Sequence, residues 1–174
     1  MNVRDCVARL KSRKEPAPLV PAQLWDAELD REIERLLPDT DPLKSALFLW
    51  NDNLTRAHEI AQEIKTQTGS YLHGIMHRRE PDYENSKYWF HKVGEHPNFP
   101  AVRATALELL KEKFGSLEDV RDSIETTKKW DAFRMVDWCQ QAARRNADED
   151  FVKFLCALQT REIELLANSE LQTS

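Results

Sequence analysis

The feature that most limits what this chain can become is its punctuation. Only four glycines occur in 174 residues, and Gly69, Gly94 and Gly115 each stand where one apolar pattern stops, as residues that close helices do. No run alternates apolar and polar residues between turn signals, and the β-branched residues are dispersed, so nothing reads as a half-buried strand. The expectation is an all-α chain, one domain over residues 1–174 built of antiparallel helical hairpins. A content of 41% hydrophobic and 32% charged residues is that of a single compact core.

Local signals divide the chain into helices. A first helix is expected near 2–12, followed by a Pro-rich connector over 11–22 that contains "KSRKEPAPLVP". From 23 to 37, Trp25, Leu29, Ile33 and Leu36 recur at spacings of three and four, which makes one apolar stripe before Pro38. Asp41 as N-cap with Pro42 behind it predicts a helix start, and Asn51-Asp52-Asn53 predicts a turn that splits 43–66 in two. Ser70 is expected to cap a helix ending at Glu80, and Asp82 to cap another over 83–93. A helix over about 100–114 follows, and Ser116-Leu117-Glu118-Asp119 resembles a capping box. Two helices near 117–143 and 149–167 complete the pattern, the first broken near Trp130-Asp131. Asp131 reads as an N-cap there, and Phe133, Val136 and Cys139 or Trp138 as an apolar stripe. Residues 168–174 are expected to fray.

Several functions are disfavoured by composition. A net charge of −5 argues against a general nucleic-acid binder, whose affinity comes mainly from cationic side chains neutralising phosphates. No run of about 18 apolar residues is available for a membrane span, and the first residues lack a secretory apolar stretch, so a cytoplasmic protein is expected. Cys6, Cys139 and Cys156 are too scattered for a disulfide framework or a paired-cysteine metal site, and two of them read as core.

The densest chemistry lies in "YLHGIMHRREPDYENSKYWF", residues 71–90, which falls into two helices joined at Pro81-Asp82. Leu72, Gly74, Ser86, Phe90 and Val93 stand close to the small and large packing positions of a tetratricopeptide repeat, and "PDYENS" is similar to that repeat's turn. The resemblance covers residues 43–97 and implies a tetratricopeptide-like array, in which a glycine and a small residue let paired helices approach closely. Pro97 and Pro100 depart from the repeat where it would close. Residues 50–97 also resemble a group of uncharacterised bacterial helical proteins carrying H-x-x-x-H-R-R-E followed by K-Y-W, a resemblance that implies no activity.

His73 and His77, four apart, share one helix face, as two imidazoles holding one divalent metal ion do. Gly74 follows the first histidine where zinc proteases place a general-base Glu, which disfavours that mechanism. A third ligand is open among His58, His91, His96, Glu59, Glu80 and Asp82. Against the metal stands a simpler reading, two histidines hydrogen-bonded beside a core. Arg78, Arg79, Lys87 and Lys92 suggest a small anionic ligand, since a guanidinium holds carboxylate or phosphate in a fork. Only one of the adjacent arginines can join the histidine face, and the other is expected in solvent or paired with Glu80 or Glu84. Tyr88, Trp89, Trp50 and Asp52 are candidates to line a groove, although aromatic residues more often fill helix seams. Asp131 and Asp137 carry no required pairing.

Two functional readings follow. The first is a helical binding or scaffolding domain whose polar groove around 71–93 takes a peptide or a small anionic ligand. The second is a metal-dependent or histidine-based, hydrolase-like enzyme using His73 and His77 in an interhelical cleft, with His58 as a further candidate ligand.

Overall fold

The computed structural model describes residues 1–173, which form ten α-helices and, among the described residues, no strand. They are α1 (Val3–Lys11), α2 (Ala27–Leu36), α3 (Pro42–Trp50), α4 (Leu54–Ala61), α5 (Gln67–Arg79), α6 (Tyr83–Val93), α7 (Phe99–Glu112), α8 (Glu118–Thr126), α9 (Ala132–Ala142) and α10 (Glu149–Thr173). No described helix is long and apolar enough to cross a membrane. The three cysteines are free, with Cys6 and Cys139 buried.

Most boundaries follow from capping chemistry. Asp26, Asp41, Asn53, Asp82 and Asp131 each accept a hydrogen bond from a backbone N–H in the first turn of the helix that follows. The turn at Asn51-Asp52-Asn53 separates α3 from α4 as expected, with Asp52 at φ 66°. That left-handed conformation is unusual outside glycine, and it is held here by ion pairs from Arg79 and Arg13.

Five expectations are corrected. α2 begins at Ala27 rather than near 23, because Asp26 caps it and the Trp25 N–H donates to the carbonyl of Asn51. Gly69 ends nothing: Thr66 is the cap of α5 in place of Ser70, and Gly69 lies in the first turn. A Cβ there would fall 2.1 Å from the carbonyl oxygen of Ile64, so the glycine serves a close backbone approach. Ser116 makes no capping box: Leu117 is the N-cap of α8 without a side-chain bond, and the Ser116 hydroxyl donates to Asp150. The C-terminal stretch through Thr173 is helical, with Leu171 against the core, while Ser174 lies outside the described residues. In α9 the core stripe is Ala132, Met135, Val136 and Cys139, leaving Phe133 exposed.

Two helices organise the packing. α3 is buried from Leu43 to Trp50 on every side and touches α1, α2, α4, α5 and α10. α10, 25 residues and so roughly 37 Å long, crosses α3, α7 and α9 and presents Phe154, Leu155, Leu158, Ile163 and Leu166 to them. The hairpin of α5 and α6 packs most closely. The Ser86 hydroxyl donates to the carbonyl of Gly74 at 2.7 Å, and a Cβ on Gly74 would lie 2.9 Å from the Phe90 ring. A small residue on each helix therefore brings the two backbones together, the packing reason expected for Gly74.

The end of α5 is fastened by two buried arginines that diverge around the helix. Arg78 turns toward α10, where it pairs with Glu162 and donates to Gln159, and the Tyr71 hydroxyl donates to the same Glu162 at 2.9 Å. Arg79 turns toward α3: it pairs with Asp52 at 2.5 Å and donates to the carbonyls of Leu49 and Pro18. The Leu49 carbonyl belongs to the negative end of the α3 dipole, where a cation is stabilised. Pro18 lies in the 11–22 connector, which is thereby tied to the core beside the fully buried Ala17.

Truncating Glu162 to Ala would leave the Arg78 guanidinium buried without its carboxylate. Urea unfolding is expected to register a loss of about 3–5 kcal/mol, against less than about 1 for removing Lys129 from its exposed pair with Glu95. Gly74→Ala is expected to destabilise by about 1–3 kcal/mol through the clash with Phe90, read in the same assay, and an unchanged midpoint would contradict the packing described.

Candidate metal centre

α4 and α5 run as neighbours joined by residues 62–66, and three histidines face one another across them. His73 and His77 stack along α5 with ring centroids 5.3 Å apart and planes 17° from parallel. His58 of α4 meets both edge-on, at 4.7 Å from His73 and 5.2 Å from His77. One nitrogen from each ring lies within 4.8 Å of the others. A tetrahedral ion with bonds of about 2.0–2.1 Å would draw such donors to roughly 3.4 Å, so modest side-chain rotation closes the set.

The cluster is largely shielded from water, with His73 3% and His77 6% exposed and His58 half-buried. α6 supplies one wall, because the Trp89 indole stacks on His73 at 4.0 Å with planes 7° apart. Around His77, Asn85 Nδ2 lies 3.2 Å from Nε2, and the carboxylates of Glu80 and Asp82 lie 3.5 and 3.9 Å from Nδ1. Glu80 beside Nδ1 favours the proton on that atom, leaving Nε2 with a lone pair toward which Asn85 donates and which a metal ion would take over. Nδ1 of His73 is buried and has no hydrogen-bond partner. A buried imidazole nitrogen without a partner costs about 1–3 kcal/mol unless something satisfies it.

The electrostatics keep these rings in their ligand form. Burial, then the neighbouring rings of His58 and His77 and the charges of Lys65 and Lys92, push the His73 imidazole down to about 3. Burial also lowers His77, with Glu80 and Asp82 acting in the opposite direction. Both are therefore neutral near pH 7, as metal ligation requires.

The other residues singled out in the sequence are distributed differently. Arg78 and Arg79, expected beside the histidines or toward Glu80 and Glu84, lie in the core, each held by another carboxylate. Trp50 and Asp52 are buried with them rather than lining a groove. Lys87 pairs with Asp137 across α6 and α9 at 2.7 Å. Tyr88 is exposed and meets Trp89 edge-on. Of the further ligand candidates, His91 is exposed, and His96 is buried against Tyr71 and Phe99. Asn85 was not anticipated, because only the α5–α6 turn carries it back over His77. Wide clefts exist elsewhere, including one of about 980 Å³ lined by Leu117, Trp138, Arg144 and Phe151, and the histidines line none of those described here.

The class that fold and site define is an all-α chain with a three-histidine cluster between two helices. No protein-family model, curated protein or solved structure matches the chain.

The histidine shifts set a direction for stability. In the unfolded chain these imidazoles protonate near 6.5, whereas His73, His77 and His96 are lowered in the fold. As pH falls through 6.5 the unfolded state takes up protons that the native state refuses, so native stability decreases. Urea unfolding in the presence of EDTA is expected to show a loss of at least about 2 kcal/mol between pH 7 and pH 5, the share of His73 alone, with His77 and His96 adding in the same direction. The slope should shrink in His73→Asn, and a flat wild-type profile would contradict the assignment.

Proposed function

We propose that this chain is a divalent-metal-binding helical protein whose ion is held by His58, His73 and His77. The observation that carries the reading is the convergence of three imidazoles from two helices, two of them buried and one with an unpartnered nitrogen. Three neutral nitrogen donors suit zinc and its first-row neighbours, and they do not suit calcium or magnesium, which take oxygen ligands. The ion would tie α4 to α5 and so stabilise the hairpin array in addition to whatever it presents at its remaining position. Binding, rather than hydrolysis, is the function proposed: Gly74 occupies the position of a protease general base, and the nearest carboxylates, Glu80 and Asp82, stand beside a ligand ring.

Elemental analysis of protein purified without an affinity tag tests this directly. One equivalent of zinc, iron, nickel, cobalt or manganese is expected in the wild type or on titration of the metal-free protein. It should be lost in His73→Ala with His77→Ala, with folding checked by circular dichroism. The ion at 100 times its dissociation constant should raise wild-type stability by about 2.7 kcal/mol and leave the double variant unmoved. No stoichiometric metal and no uptake would overturn the reading.

A further inference from the structure

We infer that the metal position left open by the three histidines takes a small oxyanion, of carboxylate or phosphate type, received on its His73 side by Lys92 and Lys65. The inference rests on the metal reading above. Three imidazoles are neutral donors, so none of the ion's two positive charges is cancelled by the first ligands, and a three-histidine set leaves at least one position for an exogenous ligand. An anion is the ligand such a centre favours.

The surroundings are polarised in a way that selects the side of approach. The Lys92 ammonium sits 4.6 Å from the Trp89 ring, on the same indole that stacks at 4.0 Å on His73, and 4.6 Å from the exposed Tyr88 ring. The two aromatic rings hold this cation at the Trp89 wall of the cluster. Lys65 lies in the short connector between α4 and α5, the two helices that carry the ligands, and its ammonium donates to the Gln62 carbonyl. Both lysines are exposed. Their charges reach His73, where they add to the lowering of its basicity. The carboxylates of Glu80 and Asp82 stand next to His77, at 3.5 and 3.9 Å from its Nδ1, and repel an anion there. The guanidinium groups of Arg78 and Arg79, the chemically better oxyanion forks, are held in the core, so the anion's partners are these two lysines.

The test uses the full chain stripped of metal and loaded with cobalt(II), the ion kept below protein concentration, and follows the visible cobalt spectrum. Inorganic phosphate and, in a parallel arm, acetate are titrated in. A saturable spectral shift with either anion is expected, and the responding arm identifies which oxyanion chemistry the site prefers. In Lys65→Gln with Lys92→Gln the apparent dissociation constant for that anion should rise by about tenfold, with cobalt affinity undiminished. Lys92→Arg should retain most of the anion affinity. A cobalt spectrum that neither anion moves, one that the added anion abolishes by stripping the ion, or an equal response in the double variant would overturn the oxyanion site while leaving the metal centre standing. Absence of any protein-bound cobalt in the wild type would overturn both, and the first spectrum separates these cases.

Discussion

The rest of the structure depends on the pair of buried ion pairs at the end of α5. Successive residues of a helix point about 100° apart, so Arg78 and Arg79 cannot serve one partner. One meets Glu162 on α10 and the other meets Asp52 at the end of α3. Buried charges that lose a partner are costly, whereas the intact pair need not add net stability. The gain is in specificity: only one rotation of α5 satisfies both arginines together. That rotation sends His73 and His77 toward α4 and sets Gly74 against α6, so the site's geometry is a consequence of charges that never touch it.

The same arrangement explains how a short, highly charged chain keeps so many polar groups inside. Arg79 also binds the Leu49 and Pro18 carbonyls, and Arg13 reaches Asp52 and the Trp50 carbonyl. The last carbonyls of α3, Asp52 in its turn and Pro18 in the irregular connector are thus held by one cluster of cations. Lys44 acts similarly at the other end, reaching Glu34 and Asp39 from an almost fully buried position. The irregular segments are held to the core by side chains where backbone ladders are absent, and the long α10 closes over them.

Function, on this reading, lies where three imidazoles converge between α4 and α5. The His73 Nδ1 is buried without a partner beside rings kept neutral by burial, while most other buried polar side chains have found one. An imidazole cluster of this kind either binds something or carries a standing cost. Outside it, Glu80 and Asp82 stand beside His77, while Lys92 lies on the Trp89 indole that stacks on His73.

How much of this was legible in the sequence depends on range. Caps such as Asp41 and Asp82, the turn at Asn51-Asp52-Asn53 and the close contact at Gly74 were readable, because each acts within a few residues or through a steric need that glycine alone meets. The pairing of His73 with His77 was readable from a spacing of four, and His58 stood among the candidates. Misreadings came where a distant partner overrode the local signal. Gly69 reads locally as a stop although Ile64 packs onto it, and Ser116 as a cap although it bonds Asp150. The arginines looked like ligand groups until Glu162, more than eighty residues away, accounted for one of them. The sequence by itself determined the helices and one face carrying two imidazoles, because helix periodicity and capping are local. Only the tertiary structure decided that His58 completes the cluster and that the arginines are internal, since both follow from how the helices are rotated against one another.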